Sequence, residues 1–399
     1  MNTKRYISCT DELVGIMRGG GLIAVPTETV YGLAGNGLDE KAVAEIYEVK
    51  GRPEVKPLSL MVHDAASMEH YCENVPPQAY TLAKKFWPGP LTIVMKAKPC
   101  VPEIVRAGGE TVGLRCPDHP LTLELLEKSG VPFAAPSANP SGEPSPKNAD
   151  SVLKYFDGKI DAVLDGGECG IGCESTLIDL SRTPYRILRQ GALPADEIAD
   201  ALVDSMKIIG ITGGTGCGKT TALNELERRG ALLIDCDAVY HRMLETDRPM
   251  LDEIEKYFPG AVIDGKLDRK ALGAVVFTDE EALRDLNIIT HRHINLEIRR
   301  ILREHAMNGG TLAAIDAIEL FSSGLAKRCT ATIGVIADRE VRIDRIMRRD
   351  GISREYAMMR VNAQRPNEYF IQKCSHVLEN NGSQEEFIEK CRKTFEEVL

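Results

Sequence analysis

The stretch Gly213–Thr220, GGTGCGKT, constrains the fold of this chain more than any other. It fits the spacing G-x-x-x-x-G-K-[S/T], with an apolar β-rich run before it, Lys207–Thr212 (KIIGIT), and a helical pattern after it, TALNELERRG. The glycines let successive backbone N–H groups turn inward, and the helix that follows adds the partial positive charge of its first turn. Such a loop cradles phosphate. Lys219 would reach the β- and γ-phosphates of a nucleotide, and the Thr220 hydroxyl would ligate Mg²⁺. A strand feeding a helix through such a loop is the unit of a doubly wound parallel sheet. The strands LLIDCD, TLAAIDAI and ATIGVIA, with long helices at Glu280–His305 and Arg339–Arg349, extend that architecture through the second half.

No DxxG switch and no NKxD base-reading motif follows the loop in this half, so GTPase chemistry is excluded. Instead the second strand ends in Asp235-Cys236-Asp237. A carboxylate at the C-terminal edge of a parallel strand faces the same crevice as the phosphate loop. There it would accept the proton of a hydroxyl attacking the γ-phosphate, although an acidic helix cap has the same local sequence.

The first half carries no phosphate loop. Short β-rich runs (LIAV, LTIVM, TVGLR, PFAAPS, AVLD, STLIDL, RILRQ) alternate with few helical patterns, of which Ala42–Glu48 and Leu121–Lys128 are clearest. This predicts an α/β domain with a mixed twisted sheet. Hydroxyl and basic groups gather in PTETVYGL (Pro26–Leu33), KGRPEVKPL (Lys50–Leu58), TVGLR (Thr111–Arg115), APSANPSG (Ala135–Gly142) and ESTLIDL (Glu174–Leu180). Lys50, Arg52 and Lys56 put three positive charges into a proline-containing turn that suits a polyphosphate, though a solvated turn uses the same residues. His63, His70 and His119 have no matched partners and read as surface residues.

Composition narrows the class. Apolar residues at 43% and charged residues at 27% of 399 fit two or three soluble domains and exclude a disordered chain. The net charge of −10 opposes broad affinity for nucleic acid or anionic membrane. Residues 1–204 hold 20 Lys+Arg against 28 Asp+Glu, and residues 205–399 hold 29 against 31, with arginine rising from 8 to 20. Arginine's planar fork suits phosphate oxygens. The amphipathic run ADEIADALVDS (195–205), with Ile198 and Leu202 on one face, closes the first domain, so the expected domains are 1–204 and 205–399. No apolar run approaches the ~18 residues of a membrane span. The N-terminal MNTKRYISCTDELVGIM has acids where a secretory signal is apolar, and the eleven cysteines form no CxxC pair. A reduced cytoplasmic protein without a membrane partner is expected.

With these residues in view, the second half resembles dephospho-coenzyme A kinase across nearly all of residues 206–399. IGITGGTGCGKT, LIDCDAVYHRML, LDRKALGAVVF, LNIITHRHI, IDAIELFSSGL, RIMRRDGIS and VLENNGS carry the match. The resemblance implies a P-loop fold with a helical lid and ATP-dependent phosphorylation of the 3′-hydroxyl of dephospho-CoA. It implies Asp237 as general base, Lys219 as a catalytic cation, and Mg²⁺ on Thr220. Gly213, Gly214, Gly216, Cys217, Gly218, Lys219, Thr220 and Thr221 would bind ATP, with Arg345 closing over the triphosphate from the Arg342–Arg349 helix. Two departures fall on the acceptor side. The family's Asp-x-Pro-Leu-Leu-Phe-Glu is here Asp316-Ala317-Ile318-Glu319-Leu320-Phe321-Ser322, and its His-Pro is His291-Arg292.

The first half resembles the YrdC-type threonylcarbamoyl-AMP synthases over roughly residues 5–200. Lys50-Gly51-Arg52 and Ser137-Ala138-Asn139 stand as the K-x-R and S-x-N signatures, with PTETVYGL, FWPGPLT, VGLRCPDHP, ESTLIDL and ILRQGAL around them. The resemblance implies a positively lined concave site where L-threonine, bicarbonate and ATP form threonylcarbamoyl-AMP and pyrophosphate, toward t6A37 of tRNA. Thr29, Arg115, Ser137 and Ser175 would hold threonine. Lys50, Arg52, Lys56, Asn139, Lys147 and Arg189 would surround ATP, Lys50 and Arg52 acting in catalysis. Many relatives carry histidine where this chain has Met61. The implied partners are these small molecules and proteins of the t6A pathway. One alternative makes the first half a non-catalytic RNA-binding module with weak RNA contact, fused to a P-loop small-molecule kinase. Another makes the second half a nucleoside or shikimate-like kinase.

Overall fold

The computed structural model describes residues 2–53 and 56–399; Met1, and Glu54 and Val55 of the basic turn, lie outside the described residues. The chain divides into two units, Met1–Ser205 with Met307–Gly309, and Met206–Ala306 with Gly310–Leu399.

In the first unit the short apolar runs become β1 (Lys4–Tyr6), β2 (Ile23–Val25), β3 (Gly32–Asn36), β4 (Ser59–Met61), β5 (Leu91–Lys96), β6 (Thr111–Arg115), β7 (Phe133–Ala134), β8 (Ala162–Leu164), β9 (Thr176–Asp179) and β10 (Arg186–Arg189). They form one sheet in the order β1-β8-β2-β3-β7-β4-β6-β5-β9-β10. The pairs β1/β8, β2/β8, β4/β6 and β5/β9 are parallel and the other five antiparallel, which makes the sheet mixed as expected. PFAAPS yields a strand of two residues, because Pro136 has no N–H to give a ladder. The Glu40–Lys50 helix starts where the Asp39 carboxylate accepts the Lys41 N–H, and it buries Ala42, Val43, Ile46 and Tyr47. It stops at Gly51, whose φ of +58° is the left-handed turn that sends Arg52 off the helix axis. Leu13, Met17, Ile23, Val25, Leu125 and Phe133 pack as a core against the sheet.

The second unit is built on β11 (Lys207–Thr212), β12 (Leu232–Asp235), β15 (Leu312–Asp316), β16 (Ala331–Ile336) and β17 (His376–Glu379), with a separate hairpin of β13 (Val262–Ile263) and β14 (Lys266–Leu267). The five strands run in the order β12-β15-β11-β16-β17, every pair parallel. A parallel sheet covered on both faces needs apolar residues throughout, and Ile209, Ile211, Ile333 and Val335 are fully buried, packed with Phe387 and Phe395 of the Gln384–Val398 helix. The Arg339–Asp350 helix ends at Gly351 (φ +65°) and returns as Arg354–Asn362, with Ile343, Ile346, Ala357 and Val361 between them.

The β12 boundary differs from the expected LLIDCD. The Asp235 carboxylate accepts the N–H groups of Asp237 at 2.9 Å and Ala238 at 3.0 Å, capping a helix, Cys236–Thr246, that begins at once. Asp237 therefore lies in a first helical turn rather than on a strand. Among the described residues, no helix is long and apolar enough to cross a membrane.

Candidate active sites

In the first unit, parallel pairing sets Met61 of β4 beside Arg115 of β6, and both face a cleft of about 170 Å³. Arg115 is only 7% exposed. Its Nη2 donates to Glu28 Oε1 and to Thr29 Oγ1, both at 2.8 Å, while its buried Nε has no partner among the described residues. An unpaired guanidinium N–H favours an anionic oxygen. The Thr29 hydroxyl is itself oriented by Thr27 Oγ1 at 2.9 Å. Across the cleft, Ser175 shares a hydrogen bond with Thr92 (2.9 Å), and Arg189 donates to the Ser175 carbonyl (2.9 Å) and pairs with Glu174 (2.6 Å). Arg52 lines the same cleft and donates to the Pro57 carbonyl at 3.2 Å; burial draws its pKa down.

The three cations of the basic turn do not form one cluster. Lys50, 3% exposed, sends its Nζ to the carbonyls of Ser137 and Asn139, so it braces the loop that carries the S-x-N residues. Burial, reinforced by Arg52, pushes its pKa down to about 7. Asn139 is buried, its Nδ2 donating to the Pro140 and Glu143 carbonyls and its Oδ1 without a partner among the described residues. Lys56 and Lys147 are exposed and outside the cleft wall. Arg52, Arg115, Ser137, Ser175 and Arg189 thus meet at the cleft, with Thr29 behind Arg115. His119 is not the surface residue expected: its Nδ1 is sealed from water without a partner among the described residues, and burial lowers its pKa. Glu28, Thr92 and Glu174 lie inside quoted motifs but carry no expected role: acids at a phosphate site look unfavourable until their arginine partners are seen, and Thr92 shows its part only through its bond to Ser175, 83 residues on.

In the second unit β11 delivers the chain into the glycine loop. Gly213, Gly216 and Gly218 take φ of +144°, +82° and +99°. A Cβ on Gly213 would lie 2.2 Å from the Val335 carbonyl oxygen, and one on Gly218 the same distance from Asn380 Nδ2. Lys219 Nζ donates to the Gly213 carbonyl at 2.9 Å. The loop is braced from outside: Arg342 donates to the Thr215 carbonyl (3.1 Å), the Thr215 N–H donates to Gln364 (2.9 Å), and Asn380 Nδ2 donates to the Cys217 carbonyl (2.8 Å). Arg345, expected over the triphosphate, donates to the Asn380 carbonyl at 2.9 Å and reaches the Gly216 carbonyl at 3.5 Å. It holds the loop's carbonyl side.

Asp316 lies within electrostatic reach of Lys219 and of Asp235 and Asp237. Asp235 and Asp316 are register neighbours at the ends of β12 and β15. Burial raises the Asp316 pKa to about 6, Lys219 opposing and the two neighbouring aspartates adding, and Oδ1 has no partner among the described residues. Asp316 appeared in the sequence only as the first letter of a motif; the strand pairing gives it its neighbours. Beside Asp237 opens a cavity of about 200 Å³ that also meets Tyr240, Asn287, Thr290, His291 and Glu319.

A backbone-amide loop with carboxylates on adjoining strand ends makes the second unit a P-loop α/β fold, and the first is an α/β unit with an arginine- and hydroxyl-lined cleft. A family model for dephospho-CoA kinase matches residues 207–386, and the Sua5, YciO and YrdC model, described as telomere recombination, matches residues 15–191. The chain belongs to both families, one in each half. A threonylcarbamoyl-AMP synthase of Pyrococcus abyssi is 50% identical over 46% of this chain and 54% of its own length. A putative threonylcarbamoyl-AMP synthase of Methanocaldococcus jannaschii is 39% identical over 45% of this chain and 84% of that protein. A dephospho-CoA kinase of Anaeromyxobacter dehalogenans is 40% identical over 45% of this chain and 86% of that protein. The chain spans about half the length of the P. abyssi relative.

Proposed function

We propose that this chain is a bifunctional ATP-dependent enzyme. Its first unit would join L-threonine, bicarbonate and ATP into threonylcarbamoyl-AMP and pyrophosphate. Its second would phosphorylate the 3′-hydroxyl of dephospho-CoA. What supports this reading is the different construction of the two candidate sites, a cleft lined by guanidinium groups in one unit and a left-handed glycine loop with its lysine in the other.

In the first site the unpaired Arg115 Nε suits threonine's carboxylate, with Thr29, Ser137 and Ser175 as hydroxyl partners. Arg52 and Arg189 would neutralise the triphosphate while pyrophosphate leaves, and Lys50 and Asn139 would fix the Ser137 loop. Such a product would pass to t6A-pathway proteins, and eleven unpaired cysteines suit a reducing cytoplasm. In the second site the loop amides and Lys219 would hold the β- and γ-phosphates. Asp237 would accept the acceptor's proton as the new P–O bond forms and ADP departs. Mg²⁺ fits the residues present, since Asp316 has a buried unpartnered oxygen and Thr220 follows the loop lysine. Bound there, it would neutralise phosphate charge.

One assay panel tests both halves. Pyrophosphate release should require threonine and bicarbonate together, and phosphate transfer should favour dephospho-CoA over nucleosides and shikimate. Tight RNA binding without pyrophosphate release would overturn the first assignment, and a better nucleoside acceptor the second.

A further inference from the structure

The turn after β15 brings a second carboxylate to the acceptor side of the kinase site. Glu319 and Asp237 line one cavity, together with His291. The Ser322 hydroxyl donates to the Glu319 carboxylate and, at 3.2 Å, to its carbonyl. The Ser323 N–H closes the turn on that carbonyl at 2.9 Å, so Glu319 is held although exposed. The family pattern has leucine at 319 and glutamate at 322. Here the acid stands three residues earlier, and a hydroxyl at 322 grips it.

Resting on the kinase reading above, we propose that Glu319 is a specificity-determining residue that accepts a hydrogen bond from the acceptor's ribose 2′-hydroxyl while Asp237 receives the adjacent 3′-hydroxyl. Two carboxylates facing one cavity repel the acceptor's phosphates, so the part of the acceptor that enters must be uncharged and rich in donors. Ionised carboxylates only accept, and a vicinal diol supplies two donors on neighbouring carbons. His291 does not cancel the negative charge, because burial draws its imidazole toward the neutral form against the pull of Glu319.

The test compares dephospho-CoA with its 2′-deoxy analogue on the full chain, as wild type, Glu319→Ala and Ser322→Ala. Wild type should prefer dephospho-CoA by roughly tenfold to a hundredfold in kcat/KM, the range of a hydrogen bond to a charged group. Glu319→Ala should lose about that factor on dephospho-CoA and almost none on the deoxy analogue, with KM for ATP unchanged. Ser322→Ala should shrink the preference without abolishing it. A Glu319→Ala enzyme that keeps the wild-type preference, or loses equally on both acceptors, overturns the assignment. Should that variant not fold, Glu319→Leu, which fills the position and cannot accept a hydrogen bond, is read by the same ratio. Wild type inactive on both acceptors overturns the kinase reading itself, and this inference with it.

Discussion

Single residues in the two sites differ chiefly in what burial does to them. Asp237, in the first turn of its helix, lines the cavity proposed to take the acceptor. Asp237→Asn keeps the shape and removes the proposed proton acceptor, so kinase turnover should fall about 10²- to 10⁴-fold, read by steady-state kinetics; an unchanged rate would put the base elsewhere. Lys50 makes a prediction about stability. Its pKa falls from 10.5 to about 7 in the folded chain, so between those values the unfolded chain binds the extra proton and stability rises with pH. The cost of burying the ammonium is complete below pH 7 and gone above pH ~10.5. The chain's one tryptophan, Trp87, lies in the first unit and reports its unfolding by fluorescence. Wild type should gain thermal stability relative to Lys50→Met as pH rises from 7 to 10. A difference that stays flat would show that the two carbonyls fully compensate the charge.

At the scale of elements, the glycine loop was legible because its signal is local: spacing, a strand before and a helix after. Its supports were not. Asn380 lies 163 residues beyond the Cys217 carbonyl it serves, and Arg342 lies 127 beyond Thr215; a pattern search along the chain has no term for such pairs. Arg345, expected in the lid, likewise reaches partners far off in sequence, the carbonyls of Asn380 and Gly216. In the first unit all seven β-rich runs became strands, whereas the helices Asp11–Arg18, Pro77–Phe86 and Ala149–Phe156 were not singled out. Their buried residues do recur at helical spacing (13, 14 and 17; 79, 82 and 83; 149, 152 and 156), but each run is only eight to ten residues long, shorter than the window in which such a period stands out. Asn380→Ala would leave the buried Cys217 carbonyl unpaired and loosen the loop. KM for ATP should rise about five- to fiftyfold with KM for dephospho-CoA little changed, and an equal rise in both would mark general destabilisation instead.

For the whole molecule, each unit carries its own core and its own candidate site, so damage to one site should stay local. Lys219→Ala should abolish phosphate transfer and leave pyrophosphate release nearly intact, and Arg52→Ala should do the reverse; parallel loss in either variant would mean that the activities depend on each other. The packing behind the phosphate loop bears on lineage as well as on chemistry. Side chains at 213 or 218 would strike the Val335 carbonyl or the Asn380 amide whether or not a nucleotide ever binds. Selection for foldedness alone would therefore preserve these glycines. A descendant that had ceased to be an enzyme would go on looking like one at this stretch, and inherited glycine is poor testimony that its owner still works.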